Sequence, residues 1–307
     1  MTLTEAEIIQ RIRATFPGGE ALTDDCGAVP LLPPGHSLLV TTDLLESEQH
    51  FRLDWHPPAM LGRKLLVVNL SDLDASGALP LGFTLTLALG PGVASGWLEA
   101  FLDGLAGAAR EFGIPVIGGD TVGRPSGLGL GITAFGAARR WLTRSGLQPG
   151  DGIFVDQPLG RSLKGLRKLQ AGRRWDPQLP DADLLAHLNP SPNLGLGPRL
   201  ANLPEVHACM DLSDGLSKDL RMLAEASRCS VVLSPGMEAD EISGGEDFAR
   251  CFASSLSRAD LEARFGLPLF EVGRAVSGGE APVLIYDEAV LRPLPDLSFD
   301  HFARRTE

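Results

Sequence analysis

The stretch "MDLSDGLSKDL", residues 210–220, follows an apolar run and leads into a helical pattern. An earlier stretch, "VVNLSDLDASG" at residues 67–77, repeats its Leu-Ser-Asp core. Ser and Asp favour helix N-termini because their side chains accept hydrogen bonds from the first backbone N–H groups. Helix capping is therefore the simplest interpretation of each copy by itself. Whether it explains both copies depends on the rest of the chain.

Length and composition indicate a globular protein with two domains. The chain has 307 residues, which is long for one hydrophobic core, and 44% hydrophobic residues argue against disorder. A net charge of −12 argues against a nucleic-acid partner and against an anionic membrane surface. If the substrate is a phosphate, such an acidic chain must hold it through local Arg or Lys, backbone N–H groups or metal ions.

The cysteines and the N-terminus favour a cytoplasmic protein. The four cysteines are scattered without a CxxC pair, so a zinc site and a disulfide framework are both poor interpretations. Reduced thiols in a cytoplasm fit better. The N-terminal "MTLTEAEIIQRIRATF" is amphipathic and carries acidic residues, so we do not expect a signal peptide, and no apolar run reaches membrane-spanning length.

Short apolar runs alternate with helical patterns, which predicts an α/β protein. The turn-like "RSGLQPGDGIFV", residues 144–155, suggests a domain boundary that divides the chain into 1–143 and 144–307. Ser95 is the predicted N-cap of one helix, and a Pro-rich connector is expected over 175–198. The predicted strands are 37–42, 83–90, 114–119, 128–138, 152–156 and 206–210, and the predicted helices are 58–77, 95–112, 162–170 and one that begins near 216.

Carboxylates fall at corresponding places in these elements. Asp43, Asp120 and Asp211 each come directly after a predicted strand, Asp72 lies on a predicted helix, and Asp25 belongs to an acidic pair before "CGAV". A buried carboxylate without a partner is costly, and hard cations such as Mg²⁺ prefer oxygen ligands. Each aspartate alone fits a cap or a turn, whereas the set favours metal binding.

Two Gly-Gly segments add a second kind of chemistry. In "IGGDTVG", residues 117–123, the glycines would let the backbone approach an anion, although a plain turn before a hairpin explains them equally well. In "SGGEDF", residues 243–248, the two acids could simply favour a helix dipole. The chain has no P-loop, protein-kinase, GxSxG or HExxH motif.

Taken in order, these motifs resemble those of the thiamine-monophosphate kinase family, which is built like aminoimidazole ribonucleotide synthetase. Each motif is weak alone, but the ordered set is specific and spans nearly the whole chain. The matching pieces are "DDCGAV", "TTDLL…HF", "KLLVVNLSDLDASGALP", "IGGDT", "TRSGLQPGD", "MDLSDGLSKDL", "SGGEDF" and "FDHF".

The resemblance implies a two-domain α/β (α+β) fold of the aminoimidazole ribonucleotide synthetase type. Residues 1–143 would bind metal and ATP and form a homodimer through a β-barrel-like interface, and residues 144–307 would close over the ATP groove. The implied reaction is direct, Mg²⁺-assisted, in-line transfer of the γ-phosphoryl group of ATP to thiamine monophosphate, which gives thiamine diphosphate.

The resemblance also assigns roles to individual residues. Arg144 would be the protein cation near the phosphates, and with Asp43 and Asp120 it forms the expected catalytic set. No general base is assigned, because the acceptor phosphate is already ionised near neutral pH. The implied metal ligands are Asp25, Thr41, Thr42, Asp43, Asp72, Asp120, Asp211 and Asp214; the implied ATP contacts are Gly119, Asp120, Arg144 and Ser213; and the implied substrate contacts are His50, Glu246 and Phe299.

The sequence departs from the family pattern in places. "ALTDD" stands where Gly-Ile-Gly usually precedes the Asp pair, "LLESEQHF" replaces a more apolar segment with a glycine, and Phe248 replaces a common tyrosine. Other enzymes of the same fold are alternatives, but the first 25 residues lack the cysteine of selenophosphate synthetase, and the chain does not end in the cysteine of the hydrogenase-maturation relative. A non-catalytic nucleotide- or metal-binding relative is the remaining alternative.

Overall fold

A computed structural model describes residues 3–24, 26–279, 281–288 and 290–297. The chain divides into two compact units that are not contiguous in sequence. The first unit comprises Met1–Trp141, Gly172–Asp181 and Leu188–Pro198, and the second comprises Leu142–Ala171, Ala182–His187 and Arg199–Glu307. The division at 143/144 into two functional domains stays a prediction.

The first unit contains a four-stranded sheet in the order β1-β4-β2-β3. Strands β1 and β2 are antiparallel to β4, and β3 runs parallel to β2. Its elements are α1 (Glu5–Thr15), a 3₁₀ turn (Gly19–Ala21), β1 (Ser37–Glu46), α2 (Pro58–Ala75), β2 (Leu79–Leu89), α3 (Ser95–Glu111), β3 (Val116–Gly123) and β4 (Leu128–Ala138).

Helices α2 and α3 are in close contact, and together with one face of the sheet they form the core of the first unit. Glycines permit this contact, because a Cβ atom at Gly62 would lie 2.1 Å from the carbonyl oxygen of Phe101, and one at Gly104 would lie 2.1 Å from that of Ala59. Helix α3 contributes an apolar stripe to this core, as an amphipathic helix does. The residues of α3 that it buries are Leu98, Phe101, Leu102, Leu105, Ala106, Ala108 and Ala109.

The opposite face of this sheet, called the open face below, exposes apolar side chains. On β1, Leu38, Val40 and Leu44 are 43%, 56% and 53% exposed. They alternate with Leu39 and Leu45, which pack towards the core, because successive side chains of a strand point to opposite faces.

The second unit contains a seven-stranded sheet in the order β11-β10-β7-β9-β5-β8-β6. The remaining elements are β5 (Gly152–Val155), α4 (Arg161–Gln170), α5 (Ala182–Leu188), α6 (Leu196–Leu200), β6 (Val206–Asp211), α7 (Leu216–Ser227), β7 (Cys229–Leu233), α8 (Ala239–Ser243), β8 (Arg250–Ser254), α9 (Arg258–Phe265), β9 (Phe270–Ser277), β10 (Val283–Asp287) and β11 (Val290–Pro293). Because β6 lies at one edge, its last residue, Asp211, lies at a corner of the sheet.

The structure corrects several local predictions. The connector over 175–198 holds α5 and the start of α6. The N-cap of α3 is Ala94, and the predicted cap Ser95 is already helical. Strands β1 and β3 continue past their predicted ends, because pairing along the sheet outweighs the local signal of a polar residue.

None of the helices within the described residues is both long enough and apolar enough to cross a membrane.

Candidate active site

In the first unit, β1 and α2 bring predicted metal ligands together. The hydroxyl of Thr41 donates to Oδ2 of Asp72 at 2.6 Å. Asp43, two residues along β1, shares the side of the strand that carries Thr41. Thr41, Asp43 and Asp72 therefore lie on the helix side of the sheet, and their role as oxygen ligands stays a prediction. Asp43 lies inside the strand rather than after it, which corrects the predicted strand end.

Asp120 lies on the other face of the same sheet. The register aligns Asp43 with Ile132, Leu85 and Gly119 across all four strands, a span of about 14 Å between the outer strands. Asp120 is one residue beyond Gly119 and pairs with the exposed Thr86, so its side chain is on the open face. Within one chain, Asp43 and Asp120 thus lie on opposite faces.

Thr42 also lies on the open face. Its hydroxyl donates to the carbonyl oxygen of Ile132 at 3.0 Å and lies 3.1 Å from the hydroxyl of Thr133. The predicted pair Thr41 and Thr42 is therefore split between the two faces of β1. Any role of Thr42 as a metal ligand is on the open face, away from Asp72, and it stays a prediction.

Gly119 is required by strand packing. A Cβ atom there would lie 2.2 Å from the carbonyl oxygen of Leu85 on β2, which no side chain can accommodate without backbone movement. The Gly-Gly segment is thus part of β3 rather than a turn before a hairpin. The contact of Gly119 with β2 is a structural reason for the glycine, independent of any contact that Gly119 makes with ATP.

His50 is held in one tautomer by the end of β1. The backbone N–H of Glu46 donates to Nδ1 of His50 at 3.0 Å, so the imidazole proton is on Nε2. The Glu46 carboxylate accepts from Arg124 at 2.7 Å. Glu48, which lies between Glu46 and His50 in the sequence, has a φ of 65°. This left-handed conformation favours glycine, and the family pattern has glycine at this position.

The helix-capping interpretation fails for both Leu-Ser-Asp copies, one of which lies in each unit. Ser71 and Asp72 lie inside α2, far from its N-terminus. Ser213 and Asp214 precede α7, whose N-cap is Gly215, and no side chain caps it locally. The two copies are therefore not equivalent structural devices.

Asp219, which was not among the predicted site residues, organises the second copy. Its Oδ2 atom accepts backbone N–H groups from Ser213, Asp214 and Gly215 at 3.1, 3.2 and 3.2 Å. Its Oδ1 atom is buried and has no hydrogen-bond partner among the described residues. A carboxylate at the fourth residue of a helix, facing back towards the preceding loop, is the signal that would have identified it.

Negative charge accumulates around this loop. Burial, followed by the charges of Asp211 and Asp214, raises the pKa of Asp219 to about 7, although hydrogen bonds from Gly215 and Asp214 oppose this. Asp214 forms an ion pair with Lys218 at 2.7 Å. Burial lowers the pKa of Lys218, but the hydrogen bond and charge of Asp214 outweigh it, and the net pKa is raised.

The other ATP-site predictions of the second unit lie on loops. Arg144 is exposed, and its backbone carbonyl accepts from the hydroxyl of Ser227 at 3.1 Å. Ser213 is exposed, and its carbonyl accepts the N–H of Glu246 at 2.8 Å. This bond joins a predicted ATP contact to a predicted substrate contact.

The segment that carries Glu246 is strained. Glu246 and Phe248 have φ values of 60° and 51°, a region that costs about 1–2 kcal/mol for residues other than glycine. Backbone hydrogen bonds to Ser213 and Leu212, both 2.8 Å, hold them there. Strained residues persist where the surroundings determine them and often where a site needs them. The segment is also a loop, so the alternative of a helix opened by Glu246 and Asp247 is wrong.

Asp247, next to it, is a buried carboxylate that accepts N–H groups from Gly160 at 2.6 Å and Ser162 at 3.3 Å. Burial is the main reason that its pKa is raised to about 6 from an ordinary value of 3.8, and the charge of Glu246 adds to this. The folded protein therefore retains a proton that the unfolded chain has already released between about pH 4 and 6.

We predict a corresponding pH dependence of stability. The free energy of unfolding should fall by about 2–3 kcal/mol through this group as pH rises from 4 to 6, and then level off. Asp247→Asn should flatten this part of the curve, because an amide does not titrate. Urea denaturation at pH 4, 5, 6 and 7 measures the free energy of unfolding. The control is Asp176→Asn, which removes one exposed carboxylate. An unchanged slope in Asp247→Asn would contradict the prediction.

Two predicted residues lie outside the described residues, namely the metal ligand Asp25 and the substrate contact Phe299.

The predicted ligands fit magnesium in their chemistry. They are carboxylate and hydroxyl oxygens, which hard cations prefer. The mutual repulsion around Asp219 is what a nearby cation would relieve. In the part of the chain that the structure describes, no three His, Cys, Asp or Glu side chains are grouped to hold a metal ion. Mg²⁺ usually completes its shell with waters and substrate phosphates, so one or two carboxylates per ion suffice.

Comparison with known proteins identifies relatives of the whole chain. The family described as AIR synthase related protein, N-terminal domain, matches residues 23–138. The thiamine-monophosphate kinase of Escherichia coli strain K12 is 37% identical over 97% of both chains. That of Haemophilus influenzae is 32% identical over 92% of this chain and 91% of its own.

Solved structures show the same fold. The thiamine-monophosphate kinase of Stenotrophomonas maltophilia K279a superposes with a TM-score of 0.76 at 33% identity, over 94% of this chain and 99% of its own. A structure described as AaThiL complexed with AMPPCP and TMP gives 0.75 at 27% identity, over 98% and 99%. The hydrogenase maturation protein HypE of E. coli gives 0.77 at 19% identity, over 98% and 99%, a likeness of fold alone.

The thiamine-monophosphate kinases of E. coli and H. influenzae are aligned with this chain almost end to end. The fold expected from the ordered motifs is confirmed, as a mixed α/β structure with two sheets. The resemblance and the full-length matches lead to one assignment: the chain belongs to the thiamine-monophosphate kinase family.

Proposed function

We propose that this chain phosphorylates thiamine monophosphate with ATP to give thiamine diphosphate. The observation that carries the proposal is the 37% identity with the E. coli thiamine-monophosphate kinase over 97% of both chains. A structural relative is described with AMPPCP, a non-hydrolysable ATP analogue, and TMP bound. The hydrogen bonds between Thr41 and Asp72 and between Ser213 and Glu246 support the proposal, because they hold four of the predicted site residues in fixed positions.

The chain's own residues would act by positioning and by electrostatics. Phosphoryl transfer needs two polyanions brought together and little covalent help from the protein. Ser213 is exposed on its anchored loop, where it can contact ATP, and Arg144 offers an exposed guanidinium to the phosphates. An ionised phosphate oxygen is already a nucleophile, so no side chain has to remove a proton.

We further propose Mg²⁺ as the metal, held by Thr41, Asp43 and Asp72 on the helix side and by Thr42 and Asp120 on the open face, with Asp25, Asp211 and Asp214 as further ligands. When bound, Mg²⁺ would supply the positive charge that neutralises the phosphates. This explains how an acidic chain with four lysines could bind two phosphate esters.

For the vitamin substrate we propose His50, Glu246 and Phe299 as contacts. His50 presents Nε2–H as a donor because Nδ1 is occupied by the backbone of Glu46. Glu246 offers a carboxylate, which suits a cationic thiazolium or an amino group. A cytoplasmic location stays a prediction from the scattered cysteines.

Measuring turnover tests this proposal against the alternative that the chain is a non-catalytic relative. The left-handed conformation of Glu48, which departs from the family pattern near the predicted substrate contacts, favours that alternative. Purified protein is mixed with ATP, magnesium and thiamine monophosphate, and thiamine diphosphate is measured by chromatography. Product that requires all three supports the kinase. Binding of ATP without any product would instead support the non-catalytic alternative.

We propose a homodimer through the open face. Its exposed apolar residues on β1 suit burial against a second copy. Thr42 and Asp120 lie on the same face, so such pairing would place both next to the partner.

Val40→Asp should convert this dimer to a monomer, because it would bury an unpaired carboxylate in the proposed interface. Leu31→Asp is the matched control, since Leu31 is 97% exposed in a loop. Analytical ultracentrifugation measures the mass. A monomeric wild-type protein, or a dimeric Val40→Asp variant, would refute this interface.

A further inference from the structure

A buried histidine contacts the side chain of Glu246. Nδ1 of His187 lies 3.1 Å from Oε2 of Glu246 and 3.1 Å from the hydroxyl oxygen of Ser162. The carboxylate has no proton to give, so the proton between these groups must be on Nδ1. The hydroxyl of Ser162 then also accepts at this nitrogen. His187 is thus fixed as an Nδ1–H donor to Glu246.

The support behind His187 is rigid. The residue is 4% exposed and lies on α5, which packs closely on α4. A Cβ atom at Gly165 of α4 would lie 2.1 Å from the carbonyl oxygen of Asp183 on α5, so a glycine is needed for the two helices to approach. Asp183 of α5 accepts from Lys168 at 2.8 Å. That hydrogen bond is the main reason that the pKa of Asp183 is lowered, against the effect of burial.

Glu246 is therefore fixed at both ends. Its backbone N–H is bonded to Ser213 in a left-handed conformation, and its carboxylate is bonded to His187. The side chain is nevertheless 27% exposed, so it remains able to contact a ligand. Sites work best when the supporting contacts lock the contacting side chain.

We propose that His187 is a positioning residue that aims the Glu246 carboxylate at the cationic vitamin substrate. The proposal rests on the proposed function, because Glu246 is a substrate contact only within it. His187 itself does not touch substrate. It lies in the segment where the sequence predicted only a connector.

His187→Leu removes the donor and should raise KM for thiamine monophosphate about tenfold, the effect of losing one hydrogen bond to a charged group. KM for ATP should not change. His187→Asn should restore most of the loss, because its amide nitrogen lies close to the position of Nδ1. Ser162→Ala should leave KM near the wild-type value, since Nδ1–H still reaches Glu246. In a Glu246→Gln background, His187→Leu should have little further effect.

Equal increases in both KM values, or no rescue by His187→Asn, would overturn the proposal. If His187→Leu does not fold, His187→Phe, which keeps an aromatic ring without the donor, is combined with Glu246→Gln instead, and independent effects of these two substitutions on KM would overturn the proposal. Calorimetric binding of thiamine monophosphate separates this proposal from the function itself. A wild-type protein that binds the substrate without forming product refutes the kinase, while a selective loss of that binding in His187→Leu still supports the role of His187.

Discussion

Asp43→Asn and Asp120→Asn are each expected to lower the rate of thiamine diphosphate formation by about 1,000-fold at saturating ATP. An amide keeps the shape of the side chain but loses the charge that would hold Mg²⁺. Metal ions contribute several kcal/mol of charge stabilisation in such reactions, and about 4 kcal/mol corresponds to this factor. The rate is measured by chromatography, and the thermal midpoint confirms that each variant is folded.

The control for this pair is Asp103→Asn, the same chemical change at an exposed ion pair with Arg11. Exposed pairs contribute about 0–1 kcal/mol, so turnover should be unchanged. Because Asp43 and Asp120 lie on opposite faces of the sheet, each variant tests a separate set of ligands. Wild-type turnover in either variant would remove that residue from the metal site.

Asp219→Ala should lower the free energy of unfolding by about 2–4 kcal/mol. It leaves three backbone N–H groups, from Ser213 to Gly215, without their acceptor, and a buried donor without a partner costs about 1–3 kcal/mol. The expected loss is smaller than that of three buried N–H groups without an acceptor, because Ser213 is exposed and water can replace the hydrogen bond of its N–H group. Turnover should fall as well, because the loop carries two predicted site residues.

Asp219→Asn is the matched variant, because its amide oxygen can still accept the three N–H groups. It also removes a charge that Asp211 and Asp214 repel, so its stability should equal or exceed that of the wild type at pH 8. Urea denaturation gives the stabilities, and hydrogen exchange of the Gly215 amide gives the local effect. Protection of this amide that survives Asp219→Ala would contradict the assigned role.

Local patterns predicted the elements better than they predicted their ends. The strand over 128–138 is confirmed as Leu128–Ala138, and the helix over 162–170 as Arg161–Gln170. Ser95 was expected to cap α3, but Ala94 does so without a side-chain bond. Caps depend on one or two local hydrogen bonds, which packing easily outweighs, whereas a long apolar stripe must be buried in any fold.

The residues of the candidate site also fall into those that local patterns predicted and those that they did not. The order of the motifs identified Asp72, Ser213 and Glu246 because each sits in a short segment with its own pattern. His187 contacts a residue 59 positions away and lies in no motif, and Asp219 contacts backbone groups four to six positions away. Asp219 lies in the 210–220 motif, but that motif pointed to Asp211, Ser213 and Asp214. A single histidine in a Pro-rich segment gives no signal from which its partner could be inferred.

By itself, the sequence determined the family, the alternation of strands and helices and the set of acidic residues, since these depend on periodicity and on the order of short motifs along the chain. Only the tertiary structure decided that Asp43 and Asp120 occupy opposite faces of one sheet, that Asp219 holds the 213–215 loop, and that His187 orients Glu246. The physical reason is that strand register and side-chain contacts between distant residues are set by the packing of the whole core, which no local pattern encodes.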